Sequence, residues 1–206
     1  SGIVNLDDDL TVRVLTNNVD AEFNQDANIT SIDAIMNGDW NVTGNRILNT
    51  TTLTGNATVS LAEYLKINQS GTSQFDGSIS GNGKLEKTGN GALSISDAQT
   101  FAGGLDVTGG TFQTLSGGTL NDSLDIHVFK DSTFIAGALD TVGSVLVDAK
   151  GSGTNAGLFT MNANTTTQTS FKNDGTLALN ANLTTGTDFE NNGTTTLAGN
   201  RVVTTT

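Results

Sequence analysis

The sequence repeats itself near its C-terminus with a period of eighteen residues. The segment MNANTTTQTSFKNDGTLA (residues 161–178) is followed directly by LNANLTTGTDFENNGTTT (residues 179–196). Three sets of residues recur at this spacing: Gly157, Gly175 and Gly193; Asn164, Asn182 and Asn200; Phe171 and Phe189. A period of this length is typical of a solenoid, in which each copy forms one turn that packs on the next.

The residues within one period predict β-strands. In GTLALNAN (residues 175–182), Leu177, Leu179 and Ala181 share one parity, as on a strand with one buried face. The motifs KNDG and ENNG each supply a turn with a residue suited to a positive φ angle. Strand, turn, strand and turn then form one rung of a parallel β-helix. We predict an all-β parallel β-helix with about 18–22 residues per rung and about ten rungs.

The recurring residues predict structural ladders along this solenoid. Phe171 and Phe189 are expected to stack in the core, and the glycine column is expected to mark a turn. The Asn164, Asn182 and Asn200 column is expected at a corner, where each amide bonds to the next rung.

Upstream of the repeat the period is looser but the segments still predict strands. LTVRVLT (residues 10–16), ILNTTTLTGNATVSL (residues 47–61) and SVLVDA (residues 144–149) alternate in the manner of strands. SLAEYLKI (residues 60–67) has helical spacing but is too short for a helix and lacks a glycine stop, so we expect a strand or a short excursion there. ITSIDAIMNGDWNV (residues 29–42) is predicted to have irregular structure. No linker divides the chain, and residues 1–206 are expected to form one β-helical segment of a longer protein.

Composition and charge exclude several classes of function. The chain has 35% apolar and 5% aromatic residues and neither Cys nor Pro, so it has no disulfide framework or thiol chemistry. Its net charge is −12, and its nine basic residues are scattered. A nucleic acid or an anionic membrane surface is therefore a poor partner. No apolar run approaches the length of a membrane-spanning helix.

Residues 75–112 resemble the passenger-associated transport repeat of Gram-negative autotransporters. The sequence is FDGSISGNGKLEKTGNGALSISDAQTFAGGLDVTGGTF, and it follows the repeat's F-x-G-x-I-x-G-x-G-x-L-x-K-x-G-x-G-x-L-x-L pattern from Phe75 to Ile95. An aromatic-x-G-G element follows at Phe101, Gly103 and Gly104. DAQTFAGG replaces the commoner N-T-Y-T-G-G form, and Phe112 replaces a Leu.

The resemblance implies a right-handed β-helix that is exported and displayed at the surface of a Gram-negative bacterium, or released. It implies a membrane connection only through a translocator domain outside these residues. The partners expected of such a passenger are a host-surface protein, a glycan or another copy of the same chain. The family as a whole includes adhesins, self-associating proteins, cytotoxins and proteases, so no particular ligand follows from it.

The residues that could carry chemistry favour structural explanations. His127 is the only histidine and shares a strand face with Asp125, but no nucleophile motif accompanies it. GGTLNDSLD (residues 117–125) resembles one nonapeptide of a calcium-binding β-roll, which makes Asp122 and Asp125 weak metal candidates. Leu120 stands where a third glycine is required, and no second nonapeptide stacks beside it. We therefore expect no catalytic residues, no metal and no cofactor.

A row of threonines raises the possibility of an ice-binding array. Thr167 and Thr169 are expected to stack on Thr185 and Thr187, but Val203 interrupts the array after two rungs. Ordinary strand threonines explain the pattern better.

The function expected from the sequence is adhesion or self-association through outward polar strand faces. Two alternatives remain open: a structural stalk that presents a domain elsewhere in the parent chain, and a surface-layer protein.

Overall fold

The chain folds into a parallel β-solenoid in which every rung follows the same path. The computed structural model describes residues 2–138, 140–149 and 155–206, and these residues form no helix. Turns average roughly 19 residues and number about ten. The prediction of an all-β parallel solenoid is confirmed. No helical segment in the described ranges is long and apolar enough to span a membrane.

The first five rungs each contribute three strands. They are β1 (Ile3–Leu6), β2 (Leu10–Thr11), β3 (Val14–Asn17), β4 (Glu22–Gln25), β5 (Ile29–Thr30), β6 (Asp33–Met36), β7 (Asp39–Val42), β8 (Asn45–Thr50), β9 (Thr52–Thr54), β10 (Thr58–Leu61), β11 (Tyr64–Gln69), β12 (Thr72–Phe75), β13 (Ser78–Ser80), β14 (Lys84–Thr88) and β15 (Ala92–Ile95).

Two rungs then contribute two strands each, and three strands per rung return afterwards. These strands are β16 (Leu105–Val107), β17 (Gly110–Thr114), β18 (Asp125–Val128), β19 (Ser132–Ala136), β20 (Asp140–Val142), β21 (Ser144–Val147), β22 (Leu158–Met161), β23 (Thr165–Thr167), β24 (Ser170–Asn173), β25 (Thr176–Leu179), β26 (Leu183–Thr185), β27 (Asp188–Asn191), β28 (Thr194–Leu197) and β29 (Val203–Thr205).

Equivalent strands from successive rungs pair in parallel to form five sheets. The long sheet has ten strands and runs from β2 to β27. The strand that precedes the long-sheet strand in a rung belongs to a five-stranded sheet in the early rungs (β1 to β13) and to a four-stranded sheet in the late rungs (β20 to β29). The strand that follows it belongs to a three-stranded sheet in the first rungs (β3 to β9) and to a seven-stranded sheet in the later ones (β12 to β28). The solenoid therefore has three faces, with the apolar core between them.

The rungs of the repeat hold three strands where the sequence predicted two, because a short glycine corner separates strands that the prediction joined into one run. NLTTGTDF (residues 182–189) contains all of β26 and the start of β27, with Gly186 at the corner between them. A Cβ atom on Gly186 would lie 1.9 Å from the carbonyl oxygen of Gln168 in the preceding rung. Only glycine fits so close to a neighbouring backbone, so the corner takes two residues and leaves room for another strand.

Two upstream segments are more regular than their sequences suggest. Residues 60–67 form no helix, as expected, and instead hold the end of β10, a corner and the start of β11, with Leu61 and Leu65 buried. Residues 29–42, predicted to be irregular, instead contain β5, β6 and β7 in the standard rung order. The prediction for this segment was wrong because polar residues such as Asp33 and Asp39 mark strand starts, while Trp40 packs inside the core.

The core is a set of columns in which residues of successive rungs stack. Leu65, Leu85, Leu105 and Ile126 form one aliphatic column of the long sheet. An aromatic column, absent from the sequence-based prediction, lies beneath the seven-stranded sheet: the ring centroids of Phe112 and Phe134 are 5.8 Å apart and those of Phe134 and Phe159 are 4.8 Å apart. Phe159 then meets Phe171 edge to face at 5.3 Å, which joins this column to the predicted Phe171–Phe189 pair.

One buried side chain takes over hydrogen bonds where a strand is missing. The five-stranded sheet ends at β13, and the next rung has no strand at that position among the described residues. The Gln99 side chain lies there: its carbonyl accepts from the backbone N–H of Ile79 at 2.7 Å, and its amide donates to the carbonyl of Gly77 at 3.0 Å. Gln99 is 2% exposed, so its amide replaces backbone contacts that water cannot supply.

A charged residue also lies inside the core. Lys87 occupies the column between Ile67 and Val107 and is fully buried. Its ammonium group donates to the backbone carbonyls of Thr88 at 2.7 Å and Gly91 at 3.0 Å. The carbonyls of Gly89 and Gly109 lie 3.4 Å away. Burial lowers the pKa of Lys87 to about 8.

We expect Gln99→Leu to destabilise the fold by about 2–4 kcal/mol, because it leaves the Ile79 N–H and the Gly77 carbonyl buried without partners. Chemical unfolding followed by circular dichroism measures this loss. Gln113→Leu is the matched control, since Gln113 lies on the outward side of β17, and it should change stability by no more than about 0.5 kcal/mol. Equal losses in the two variants would contradict the role assigned to Gln99.

The buried ammonium of Lys87 predicts that stability increases as the pH rises from about 8 to 10.5. In this window Lys87 is still protonated in the unfolded chain but already neutral in the folded chain. The free energy of unfolding therefore increases with pH, by up to about 3 kcal/mol. The free energy of unfolding should rise across this window in the wild type and in a Lys66→Met control. Lys87→Met should abolish the rise. The same slope of unfolding free energy against pH in all three proteins would contradict the prediction.

Candidate functional site

Charged side chains are concentrated on the outward face of the long sheet, together with Tyr64 and His127. One outward row is formed, in register, by Lys66, Glu86, Asp106, His127, Leu146, Lys172 and Glu190. The only tyrosine, Tyr64, lies beside this row in register with Lys84. The outward positions within the strands of the seven-stranded sheet carry no charged residue.

Glu86 is the centre of a hydrogen-bonded network on this face. Its carboxylate accepts hydrogen bonds from the Tyr64 hydroxyl and, at 2.7 Å, from the Thr108 hydroxyl. Lys66 Nζ lies 3.3 Å from Glu86 Oε1. Tyr64 and Lys66 lie in the preceding rung and Thr108 follows β16 in the next rung, so the network spans three successive rungs and fixes the side chains of neighbouring strands relative to one another.

The network shifts the pKa values of two of its members. Burial alone would raise the pKa of Glu86, but hydrogen bonds from Tyr64, Thr108 and Lys66 outweigh it and lower the pKa. Burial, followed by the hydrogen bond to Glu86, raises the pKa of Tyr64. Glu86 is therefore held as a carboxylate and Tyr64 as a neutral phenol.

His127 contacts a different carboxylate from the one that its sequence neighbours suggest. Its Nε2 atom lies 2.9 Å from Asp148 Oδ1 in the next rung, and its ring stacks on Phe129 with centroids 3.7 Å apart. Asp125 instead accepts a hydrogen bond of 2.6 Å from the Ser144 hydroxyl. His127 thus pairs with Asp148 while Ser144 pairs with Asp125, and these residues do not form a Ser–His–Asp relay.

A notch interrupts the outward face where the long sheet passes through β16. Gly104 immediately precedes β16, at the register position between Lys84 and Asp125. Because this position has no side chain, the surface is indented there, and the space has a volume of about 310 Å³. We call it the Gly104 notch; Lys84, Gly104, Asp106, Asp125, His127 and Ser144 line it.

The two aspartates singled out as weak metal candidates are exposed and do not converge. Asp125 lines the Gly104 notch, whereas Asp122 lies in the preceding turn and is outside it. Within the described ranges, no three His, Cys, Asp or Glu side chains group in a way that could hold a metal ion.

The asparagine column is a ladder for two of its three members. The backbone N–H of Asn182 donates to Asn164 Oδ1 at 3.0 Å, so the side chain caps the next rung. Asn182 Oδ1 in turn accepts from the N–H of Val202 at 3.1 Å and not from Asn200. The last rung is two residues longer, since Leu183 pairs with Val203, and this moves Asn200 out of register.

The glycine column is explained by close packing of backbones. Gly157, Gly175 and Gly193 stack in register, and the carbonyls of the first two accept from Thr176 and Thr194 in the following rungs. Their φ angles are not positive, contrary to the prediction for KNDG and ENNG. A Cβ atom on Gly193 would lie 2.1 Å from the Gly175 carbonyl oxygen, and this crowding is what requires glycine.

The Thr167–Thr185 pair faces inwards. Thr167 does pair in register with Thr185, but both are fully buried, and Thr205 continues the column while Val203 stacks on Leu183. A buried column cannot present an array to ice, so the alternative explanation as ordinary strand threonines is the better one.

The amide ladder of the early rungs was missed because its spacing is irregular. On the outward side of the five-stranded sheet, Asn41 donates to Asn24 and Asn24 donates to Asn5, each at 2.8 Å. These residues are 19 and 17 positions apart, so no fixed period reveals them. The same irregularity hid the rows of the long sheet.

We expect Tyr64→Phe to raise the pKa of Glu86 towards its ordinary value, because the variant loses a hydrogen bond that favours the carboxylate. Carbon-13 NMR titration of the aspartate and glutamate carboxyl groups measures the change. Asp76, whose pKa is lowered by Ser96 and Gln74, serves as an internal control and should not move. An unchanged Glu86 titration would show that the Tyr64 contact does not form in solution.

No protein-family model matches this chain, and no curated protein or solved structure matches it either.

Proposed function

We propose that this chain is a recognition segment of an autotransporter passenger, displayed on the surface of a Gram-negative bacterium, that acts in adhesion or self-association. The observation that carries the proposal is the unequal distribution of side chains over the three faces. Ammonium groups, carboxylates, the tyrosine and the histidine share the outward face of the long sheet, whereas strand positions on the seven-stranded sheet present uncharged residues.

Binding through this face would consist of many weak contacts repeated along the rod. Equivalent residues recur at the spacing of neighbouring strands, about 4.8 Å, so a partner with an extended surface could engage several rungs together. Ion pairs such as Lys172–Glu190 are partly exposed, with 3.6 Å between Nζ and Oε1, and contribute little to stability. They can exchange their partners for groups on a ligand at small cost.

A non-catalytic role is supported by how the reactive side chains are arranged. His127 bonds to Asp148 and Ser144 bonds to Asp125, so the possible acid, base and nucleophile occupy separate pairs. The location is supported by the resemblance of residues 75–112 to the passenger-associated transport repeat, and by the solenoid into which those residues fold.

A structural stalk is the second candidate. The long sheet pairs continuously from β2 to β27, which gives an uninterrupted rod able to hold another domain away from the cell. In that case the outward face of the long sheet would need only to be soluble.

The two candidates differ in what happens when one face is changed. Beads coated with the protein would be tested for clumping and for attachment to cultured epithelial cells. The face variant combines Lys66→Ala with Lys172→Ala, and the matched control combines Gln74→Ala with Gln113→Ala on the seven-stranded sheet. We expect the face variant to lose at least about tenfold in clumping or attachment, because two charged contacts are removed, while the control behaves as the wild type. Absence of clumping and attachment in all three proteins would favour the stalk.

A further inference from the structure

The Gly104 notch is kept open by backbone geometry and not by crowding. A Cβ atom on Gly104 would have room, since its nearest neighbour is the Asp125 carbonyl oxygen at 3.6 Å. Gly104 has a φ of +103°, a conformation that other residues rarely adopt. The fold therefore requires glycine at this position, and the missing side chain leaves a cavity in the outward face.

Donors and acceptors alternate around the notch. Lys84 Nζ lies 2.6 Å from Asp106 Oδ2, and Ser144 donates to Asp125 Oδ1 at 2.6 Å. Within the described ranges, Asp106 Oδ1 and Asp125 Oδ2 have no hydrogen-bond partner. A ligand group that both donates and accepts can satisfy a carboxylate oxygen and a neighbouring ammonium at once, and a hydroxyl group is of this kind.

One side of the notch is apolar. The His127 ring, stacked on Phe129, and the side chain of Leu146 border the polar groups and are partly exposed. A small ligand with hydroxyl groups on its rim and C–H groups on one face would place the C–H face against this side. The volume of about 310 Å³ is at the lower end of the range for small-ligand sites.

We propose that the Gly104 notch binds one pyranose unit of a neutral glycan. Its hydroxyl groups bond to Asp106, Asp125 and Lys84, and its ring packs on His127. The inference rests on the proposed recognition function and names the ligand class of one site on that face.

Charge decides against the other ligand classes. The notch has two carboxylates against one ammonium, and the whole chain has a net charge of −12, so an acidic glycan is repelled. A lysine or arginine side chain of a peptide would be attracted by the two carboxylates, but it carries only donors and cannot accept from the Lys84 ammonium, which is 42% exposed beside Asp106. A neutral hydroxyl group, which both donates and accepts, avoids both mismatches.

The test is binding of the full chain to immobilised oligosaccharides ending in glucose, galactose, mannose or N-acetylglucosamine. A sialylated oligosaccharide and oligolysine are included as acidic and cationic probes. We expect at least one neutral glycan to bind, and its sialylated form to bind more weakly. Asp125→Asn should weaken the binding about tenfold, since it alters one charged hydrogen bond.

Two further variants separate the notch from its surroundings. Ser144→Tyr fills the notch from the next rung and should abolish glycan binding. Asp122→Asn makes the same chemical change as Asp125→Asn three residues away and outside the notch, and it should bind as the wild type. Thermal unfolding of each variant shows that the solenoid remains folded.

The outcomes distinguish this inference from the recognition function. If no neutral glycan binds while coated beads still clump or attach to cells, the glycan site is wrong and the recognition function stands. Binding of oligolysine that is sensitive to Asp125→Asn would also overturn the inference, in favour of a basic peptide. If neither glycan binding nor clumping and attachment occurs, both proposals fall.

Discussion

Parallel pairing of each strand with its equivalent one rung away is the constraint on which the rest of the structure depends. Because the pairing is in register, a residue that faces inwards stacks on residues that also face inwards, and one that faces outwards continues an outward row. The core columns, the amide ladders and the charged rows of the long sheet are consequences of this one arrangement. It also brings the backbones at the corners so close that Gly157, Gly175 and Gly193 cannot carry side chains.

Where the pairing is interrupted, polar side chains take its place. Gln99 supplies an amide to the unpaired end of the five-stranded sheet, and Lys87 donates to carbonyls around a glycine-rich corner. Gln25 acts inside a continuous sheet among the early rungs, where its side chain accepts from the Trp40 indole N–H at 3.1 Å and donates to the Ala27 carbonyl at 2.8 Å. These three buried side chains therefore supply hydrogen bonds to core groups that water cannot reach.

The sequence predicts the class of fold because the period of eighteen and the alternation of Leu177, Leu179 and Ala181 are local features. It does not predict the number of strands per rung, because the corner at Gly186 depends on the distance to a backbone in the preceding rung. It places Asn200 in a ladder from which a two-residue insertion removes it. The face of the long sheet was not recognisable, because rungs vary between 17 and 26 residues and the row of Lys66, Glu86 and Asp106 emerges only when the rungs are aligned.

The aromatic residues are divided unequally between the two halves of the rod. Trp40 and Tyr64, the only residues of their kinds, lie in the first four rungs, whereas the stacked column from Phe112 to Phe189 lies in the second half. A solenoid of nearest-neighbour contacts need not melt in a single step. Tryptophan emission follows only the rungs around Trp40, while far-ultraviolet dichroism averages over every rung. The difference between the midpoint temperatures of the two melting curves therefore reports over how many rungs unfolding is cooperative.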